Sequence, residues 1–130
     1  MYPNLSTSLI LLYLVLSFAY SIIEKLKGWE ECTVYYKDHF KGTALKNHVV
    51  PAIILVLVLE IISVVIGFVG LFYLLDSTQP NLAIYAYLTI VATLVVLMTG
   101  QRIAQDYSGA MNITVYFILS VLGLYILEIS

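Results

Sequence analysis

The chain has 130 residues, of which 62% are hydrophobic and 11% charged, and its formal net charge is −2. Soluble domains average about 25% charged residues, so this composition excludes an ordinary soluble domain and indicates an integral membrane protein. The length suits one compact domain, and the negative net charge argues against nucleic acid as a partner.

Four long apolar segments follow one another along the chain, at about residues 5–23, 49–75, 81–101 and 112–129. Each is close to or above the roughly 20 apolar residues that cross a bilayer as a helix. Helices satisfy their own backbone groups in lipid, and these runs are too long for barrel strands. The sequence therefore predicts an all-α fold, an integral membrane four-helix bundle over residues 1–130.

The connections between these segments carry local turn signals. The link from Asp76 to Pro80 is short, so the second and third segments should be antiparallel neighbours. Gly109 is expected to stop the third helix, and Asn112 to cap the fourth.

Loop one, which joins the first two segments, is the only long connection and has an amphipathic pattern. Trp29, Cys32, Tyr36 and Phe40 recur at helical spacing, while the charged residues lie largely on other sides. Aromatic rings favour the membrane interface, so residues 29–41 are predicted to form an interfacial helix. This helix could be a scaffold over the mouth of the bundle, or a lid or docking surface.

Glu60 lies near the middle of the second segment. An acid at that depth is costly in lipid, so it should face the protein interior, a polar partner or water. Ser63, Gly67 and Gly70 share its helix face, where small residues allow a neighbouring helix to approach closely. Without a cation at its depth, Glu60 is expected to be neutral and hydrogen-bonded; the second expectation is a water-linked ion pair with Arg102.

Each of the other segments has a hydroxyl at about the predicted depth of Glu60: Ser17, Thr93, and Tyr116 or Ser120. Together these groups could form a hydrogen-bonded pocket around the carboxyl. Hydroxyls are also ordinary contacts between membrane helices, so this pattern by itself leaves both interpretations open.

A second group of polar residues lies at the end of the bundle where loops one and three meet. Lys25 comes at the end of the first segment, and Arg102 and Asp106 follow the third. Arg102 and Asp106 would pair if the third helix continued to about Tyr107. As a functional site, Lys25 and Arg102 would bind an anionic or carbonyl head group above a pocket floored by Glu60.

The distribution of basic residues predicts an orientation. All six lie in or beside loops one and three, namely Lys25, Lys27, Lys37, Lys41, Lys46 and Arg102. The positive-inside rule therefore places loops one and three in the cytoplasm and both termini outside.

Several stretches resemble the small DoxX-like membrane proteins. They are SIIEK at 21–25, YKDHF at 36–40, TALK at 43–46, and LE at 59–60 followed by glycines. The most specific stretch is GQRIAQDYSGA at 100–110, running into YFIL at 116–119, which is similar to DoxX-like proteins of Bacteroidetes-type bacteria.

This resemblance implies a four-helix bundle in the bacterial cytoplasmic membrane. The better-described members are subunits of quinone-linked sulfur-oxidising complexes or accessory parts of membrane oxidoreductase assemblies, and most members have no assigned activity. Glu60, Lys25, Arg102 and Asp106 match the polar positions of the family. Ile22 departs from it, because a glycine is usual before the acidic–Lys pair.

Three functions are compatible with the sequence. The first is an accessory or structural subunit of a respiratory or other oxidoreductase complex, without catalytic activity of its own, bound to other membrane subunits or to a second copy. The second is a quinone-interacting redox protein, in which Glu60, Tyr116, Lys25 and Arg102 would supply donors and protons. The third is a small proton-coupled transporter using Glu60.

The ligands expected from outside the chain are quinone or lipid, in a lipid bilayer. The single cysteine and the two histidines, His39 and His48, lack metal-ligand spacing, so neither a metal nor an intrinsic cofactor is expected.

Overall fold

The computed structural model describes residues 5–43, 47–76, 81–104 and 106–129. This part of the chain forms five helices, α1 (Leu5–Lys27), α2 (Trp29–His39), α3 (Val49–Asp76), α4 (Asn81–Ile103) and α5 (Tyr107–Ile129). Four of them, α1, α3, α4 and α5, are long and apolar enough to cross a membrane. The predicted all-α helical bundle is confirmed. Two parts of the sequence predictions, Lys46 and residues 77–80 of the second link, lie outside the described residues.

The fourth long helix begins earlier than the sequence predicts. α5 starts at Tyr107 rather than at residue 112, because Asp106 caps it: Oδ1 accepts a hydrogen bond from the backbone N–H of Gly109 at 2.9 Å. Gly109 therefore lies in the first turn of α5. The predictions that Gly109 stops a helix and that Asn112 caps one were wrong.

The four long helices form a ring. α3 packs between α1 and α4, and α5 closes the ring against α4 and, less extensively, against α1. The core is apolar and comes mainly from α1 and α4, including Leu11, Leu14, Val15, Ile90 and Leu94. The hydroxyl of Tyr87 on α4 donates to the carbonyl oxygen of Thr7 at 2.6 Å, which ties these two helices together.

One face of α3 is buried along its length, at Glu60, Ser63, Gly67 and Gly70. A Cβ atom at Gly67 would overlap the side chain of Val15 on α1, and a Cβ at Gly70 would lie 3.0 Å from the Cα of Ala83 on α4. The predicted small face is thus confirmed, and its glycines allow α3 to approach both neighbours.

The outside of the ring carries large apolar side chains on every long helix, among them Leu9, Val65, Leu88 and Val115. An apolar surface this extensive is typical of a protein whose helices face lipid rather than water. Together with the length of the four helices, it supports a multi-pass membrane protein.

α2 lies across the end of the ring and packs against α1 and α3. Its half-buried residues include Trp29, Cys32 and Tyr36, and Phe40 follows directly after it. The predicted stripe therefore faces the bundle. The helix ends at His39, two residues earlier than predicted, and Gly42 adopts a φ of 81°, a backbone conformation that glycine accommodates without strain. Its place at the membrane interface stays a prediction.

Candidate functional site

A buried ion pair joins α1 to α3. Nζ of Lys25 lies 2.5 Å from Oε1 of Glu60 and also donates to the hydroxyl oxygen of Ser21 at 2.7 Å. Glu60 is 1% exposed and Lys25 9% exposed. The expectation that no cation reaches the depth of Glu60 was therefore wrong. The second expectation, a water-linked ion pair between Glu60 and Arg102, was also wrong, because the cation that pairs with Glu60 is Lys25. The reason is that α1 continues beyond residue 23 and its last turn directs Lys25 inward.

The pair leaves hydrogen-bonding capacity unused. Oε2 of Glu60 is buried and has no hydrogen-bond partner among the described residues. The ammonium group of Lys25 has three N–H donors, and the contacts to Glu60 and Ser21 account for two of them. A buried carboxylate oxygen without a partner is costly, so a water molecule or a ligand donor is expected beside it.

Among the predicted hydroxyls, Thr93 is the one that has a side-chain contact with the face of α3 that carries Glu60. The side-chain oxygens of Thr93 and Ser63 are 3.1 Å apart, one helical turn along α3 from the carboxylate. Ser17 instead donates to the carbonyl oxygen of Tyr13, and Ser120 donates to the backbone of its own helix.

Tyr116 lies elsewhere, stacked on Tyr13 with 6.2 Å between ring centroids. Both rings line the groove between α1 and α5. Among the described residues, Oε1 of Glu60 pairs with Lys25 and Oε2 has no partner, so the predicted hydrogen-bonded pocket of Ser17, Thr93 and Tyr116 or Ser120 around this carboxyl was wrong.

A cavity of about 340 Å³ lies between α2, α3 and α4. Among the described residues, its lining contains one charged side chain, Lys25. Tyr36 and Phe40 cover it from the α2 side, and most of the remaining wall is apolar, from residues such as Ile53 and Val56. An apolar cavity of this size with a few polar groups is typical of a small-molecule site.

A polar contact holds α2 against the far side of this cavity. Nε2 of His39 lies 2.9 Å from Oε1 of Gln101, which also lines the cavity, and 3.6 Å from Oδ2 of Asp106. Asp106 thus has two roles, since its other oxygen caps α5. Sequence reasoning missed this contact because 62 residues separate His39 from Gln101 and no local pattern links them.

Arg102 lies outside the cavity. Its guanidinium carbon is 4.9 Å from the centroid of the exposed Tyr107 ring, a cation–π contact. The predicted Arg102–Asp106 pair was wrong, because α4 ends at Ile103 and the carboxylate of Asp106 caps the next helix instead. Lys25 is therefore the cation at the site, without Arg102 beside it.

Two titratable side chains of α2 face the same end of the bundle. Burial raises the pKa of the Cys32 thiol; the nearby Lys25 opposes this shift and Glu60 adds to it. Burial also raises the pKa of Tyr36, and the negative charge of Glu60 contributes. Both groups are protonated at neutral pH, so the Tyr36 hydroxyl can donate a hydrogen bond. Within the described residues, no cluster of three or more His, Cys, Asp or Glu side chains could hold a metal ion.

The chain matches no protein-family model, no curated protein and no solved structure. The resemblance to DoxX-like proteins therefore stays a prediction, and the function has to be inferred from the geometry of the site.

Proposed function

We propose that this chain is a DoxX-like accessory subunit of a membrane complex, and that it binds the head group of a quinone in the cavity beneath α2. The observation that carries the proposal is the position of Lys25. This side chain is buried, its ammonium group is held by Glu60, and it is the one charged side chain among the described residues that line a mostly apolar cavity. Such a wall accepts an apolar ring, and the ammonium donates to a carbonyl oxygen.

The polar groups of the cavity suit a quinone ring. Lys25 offers an N–H donor at one side of the cavity, and the amide of Gln101 lines it as well. The rings of Tyr36 and Phe40 provide aromatic surface for stacking against a planar head group. Charge-assisted hydrogen bonds are the stronger ones, so Lys25 should contribute most to the affinity.

The cavity also reaches the lipid-facing surface. Leu55 on α3 and Val95 and Val96 on α4 line it and are exposed on the outside of the ring. A ligand with an isoprenoid tail could therefore enter from the bilayer and leave its tail among lipid chains. This route favours a membrane-soluble ligand over a water-soluble metabolite.

The outer face of α2 offers a surface for a partner subunit. Glu30, Glu31, Val34 and Tyr35 are exposed there, directly above the cavity. Tyrosine is enriched in protein contacts, and the two glutamates would suit the polar rim of such a contact. A partner at this position would lie next to the bound head group.

The test is purification from the native membrane in mild detergent, followed by native mass spectrometry and extraction of bound quinone. We expect a partner in fixed ratio and about one quinone per chain. Addition of a short-tailed quinone to quinone-stripped protein should quench the fluorescence of Trp29, the single tryptophan, in a saturable manner.

Two variants test the site itself. Lys25→Met should weaken quinone binding about tenfold or more, since hydrogen bonds to charged groups contribute about 1.5–3 kcal/mol, whereas Lys27→Met, which removes an exposed lysine two residues away, should leave it unchanged. Gly100→Leu fills the cavity without touching the ion pair and should also weaken binding.

Equal quinone affinities in the wild type, Lys25→Met, Lys27→Met and Gly100→Leu would refute the proposal, as would the absence of saturable quenching in the wild type. Transport coupled to Glu60 stays a prediction from the sequence.

A further inference from the structure

A groove of about 840 Å³ runs between α1 and α5, away from the quinone cavity. It is lined by Leu9 and Tyr13 of α1 and by Asn112, Tyr116 and Leu122 of α5, among others. α1 and α5 form the least extensive contact between neighbouring helices of the ring.

The groove contains polar groups deep in the membrane-spanning region. With a rise of about 1.5 Å per residue, Asn112 lies about 9 Å from the middle of α5, whereas the hydrocarbon extends about 15 Å from the bilayer centre. The Asn112 side chain is exposed and makes no hydrogen bond to any described residue. Tyr13, near the middle of α1, is 54% exposed, but its side chain has a hydrogen-bonding partner in Tyr116, so Asn112 is the group of the groove that needs one.

Lipid tails cannot satisfy the amide of Asn112. An amide without a hydrogen-bond partner in hydrocarbon costs several kcal/mol by transfer measurements, and Asn is too short to reach the head-group region from this depth. Asn side chains in membrane helices instead form hydrogen bonds to other helices. The groove therefore requires a partner that brings both a donor and an acceptor to the level of Asn112.

We propose that this partner is a second copy of the chain, and that the groove between α1 and α5 is the interface of a symmetric homodimer. An asparagine amide is both donor and acceptor, so two copies of Asn112 satisfy each other. A two-fold axis along the membrane normal keeps each residue at its own depth, so the two Asn112 side chains meet at one level. The exposed Leu9, Val115 and Ile118 supply apolar contact around them.

Cysteine cross-linking in native membranes tests the position of the interface. In a Cys32→Ser background, Ile118→Cys places a thiol in the groove, and Val65→Cys places one on the lipid face of α3. Both positions lie near the middle of their helices and are similarly exposed, at 62% and 58%. We expect oxidation to yield a product of twice the chain mass for Ile118→Cys and little for Val65→Cys.

Dimerisation in vesicles, measured by energy transfer between labelled chains, tests the role of the amide. Asn112→Leu should weaken the dimer roughly 3- to 20-fold, the range expected for hydrogen bonds between membrane helices. Thr114→Val is the matched control, because Thr114 bonds to the carbonyl oxygen of Ala110 in its own helix. Asn112→Gln keeps donor and acceptor and should retain most of the association.

Three outcomes would overturn the homodimer: equal cross-linking at both positions, a cross-linked product containing a different protein, or energy transfer unchanged by Asn112→Leu. The groove lies outside the quinone cavity. Loss of quinone binding would therefore leave this interface intact, and the two proposals can fail separately.

Discussion

At the scale of single residues, the buried ion pair between Lys25 and Glu60 is a costly feature of the described structure. Both groups are taken out of water, and the attraction between buried charges only roughly offsets their desolvation. A membrane helix with an apolar residue in place of Glu60 would pack without this desolvation cost. The pair is therefore better explained by the chemistry that it brings to the cavity than by a gain in stability.

Removing one member of the pair should destabilise the protein much more than removing both. Lys25→Met leaves the carboxylate of Glu60 buried without its counter-charge and should lower the free energy of unfolding by about 3–5 kcal/mol. The double variant Lys25→Met/Glu60→Met buries no charge and should lose markedly less. Unfolding in mixed detergent micelles measures both values.

Lys27→Met controls for the loss of a lysine from the same helix and should stay within about 0.5 kcal/mol of the wild type. The single variant Glu60→Met completes the cycle. If the double variant lost as much stability as Lys25→Met and Glu60→Met lose together, the pair would have no coupling energy and this explanation would be wrong.

At the scale of helices, α3 organises the bundle, because its small face contacts both α1 and α4. Gly67 lies against Val15 and Gly70 against the backbone of Ala83. In lipid, helices associate through close packing rather than through the hydrophobic effect, so these approaches matter more than they would in water. The glycines set the distances between the helices, and the ion pair fits between α1 and α3 at the resulting separation.

Alanine at Gly67, Gly70 and Gly100, three of the glycines in the long helices, should give two different results. Gly67→Ala and Gly70→Ala should each destabilise by about 1–3 kcal/mol, because the new methyl group overlaps a neighbour. Gly100→Ala meets only the ring of Phe40, at 3.8 Å, and should be neutral or stabilising by up to about 1 kcal/mol. Thermal unfolding in detergent gives the comparison.

A second substitution separates the two clashes. Val15→Ala removes the side chain that a methyl group at position 67 would meet, so it should reduce the penalty of Gly67→Ala. It should leave the penalty of Gly70→Ala unchanged, because the obstacle there is backbone. Equal rescue of both variants would contradict this description of the packing.

At the scale of the whole molecule, loop one and the connection between α4 and α5 lie at the same end of the bundle. The contacts of His39 with Gln101 and Asp106 join them. In a chain that crosses the membrane four times, the connections after the first and the third crossing lie on the same side, as they do here. It does not by itself assign that end to the cytoplasm, which rests on the distribution of basic residues.

Labelling of the native Cys32 on α2 tests the orientation. A membrane-impermeant maleimide should modify Cys32 in inverted vesicles and not in right-side-out vesicles. Burial raises the pKa of this thiol and the thiolate is the reactive form, so the rate should be slow at pH 7. The labelling rate should rise about tenfold per pH unit and continue to rise beyond the ordinary thiol pKa.

The control is Glu128→Cys in a Cys32→Ser background. Residue 128 is exposed at the opposite end of the bundle, so this variant should show the reverse sidedness. Modification of Cys32 from outside would invert the orientation.

The sequence by itself determined the features that depend on local periodicity. Hydropathy placed the ends of the four long helices to within five residues, and steps of three and four placed Glu60, Gly67 and Gly70 on one buried face of α3. The amphipathic stripe of α2 was likewise readable, because the side of a helix on which a residue lies follows from its spacing alone.

Only the tertiary structure decided which residues meet. Lys25 and Glu60 are 35 residues apart and His39 and Gln101 are 62 apart, and no local pattern connects either pair. Asp106 was assigned to Arg102 because a continuous helix would pair them, whereas the break after Ile103 made it a helix cap. Spacing along one helix cannot fix the rotation and depth of its neighbours, because both are set by packing between helices.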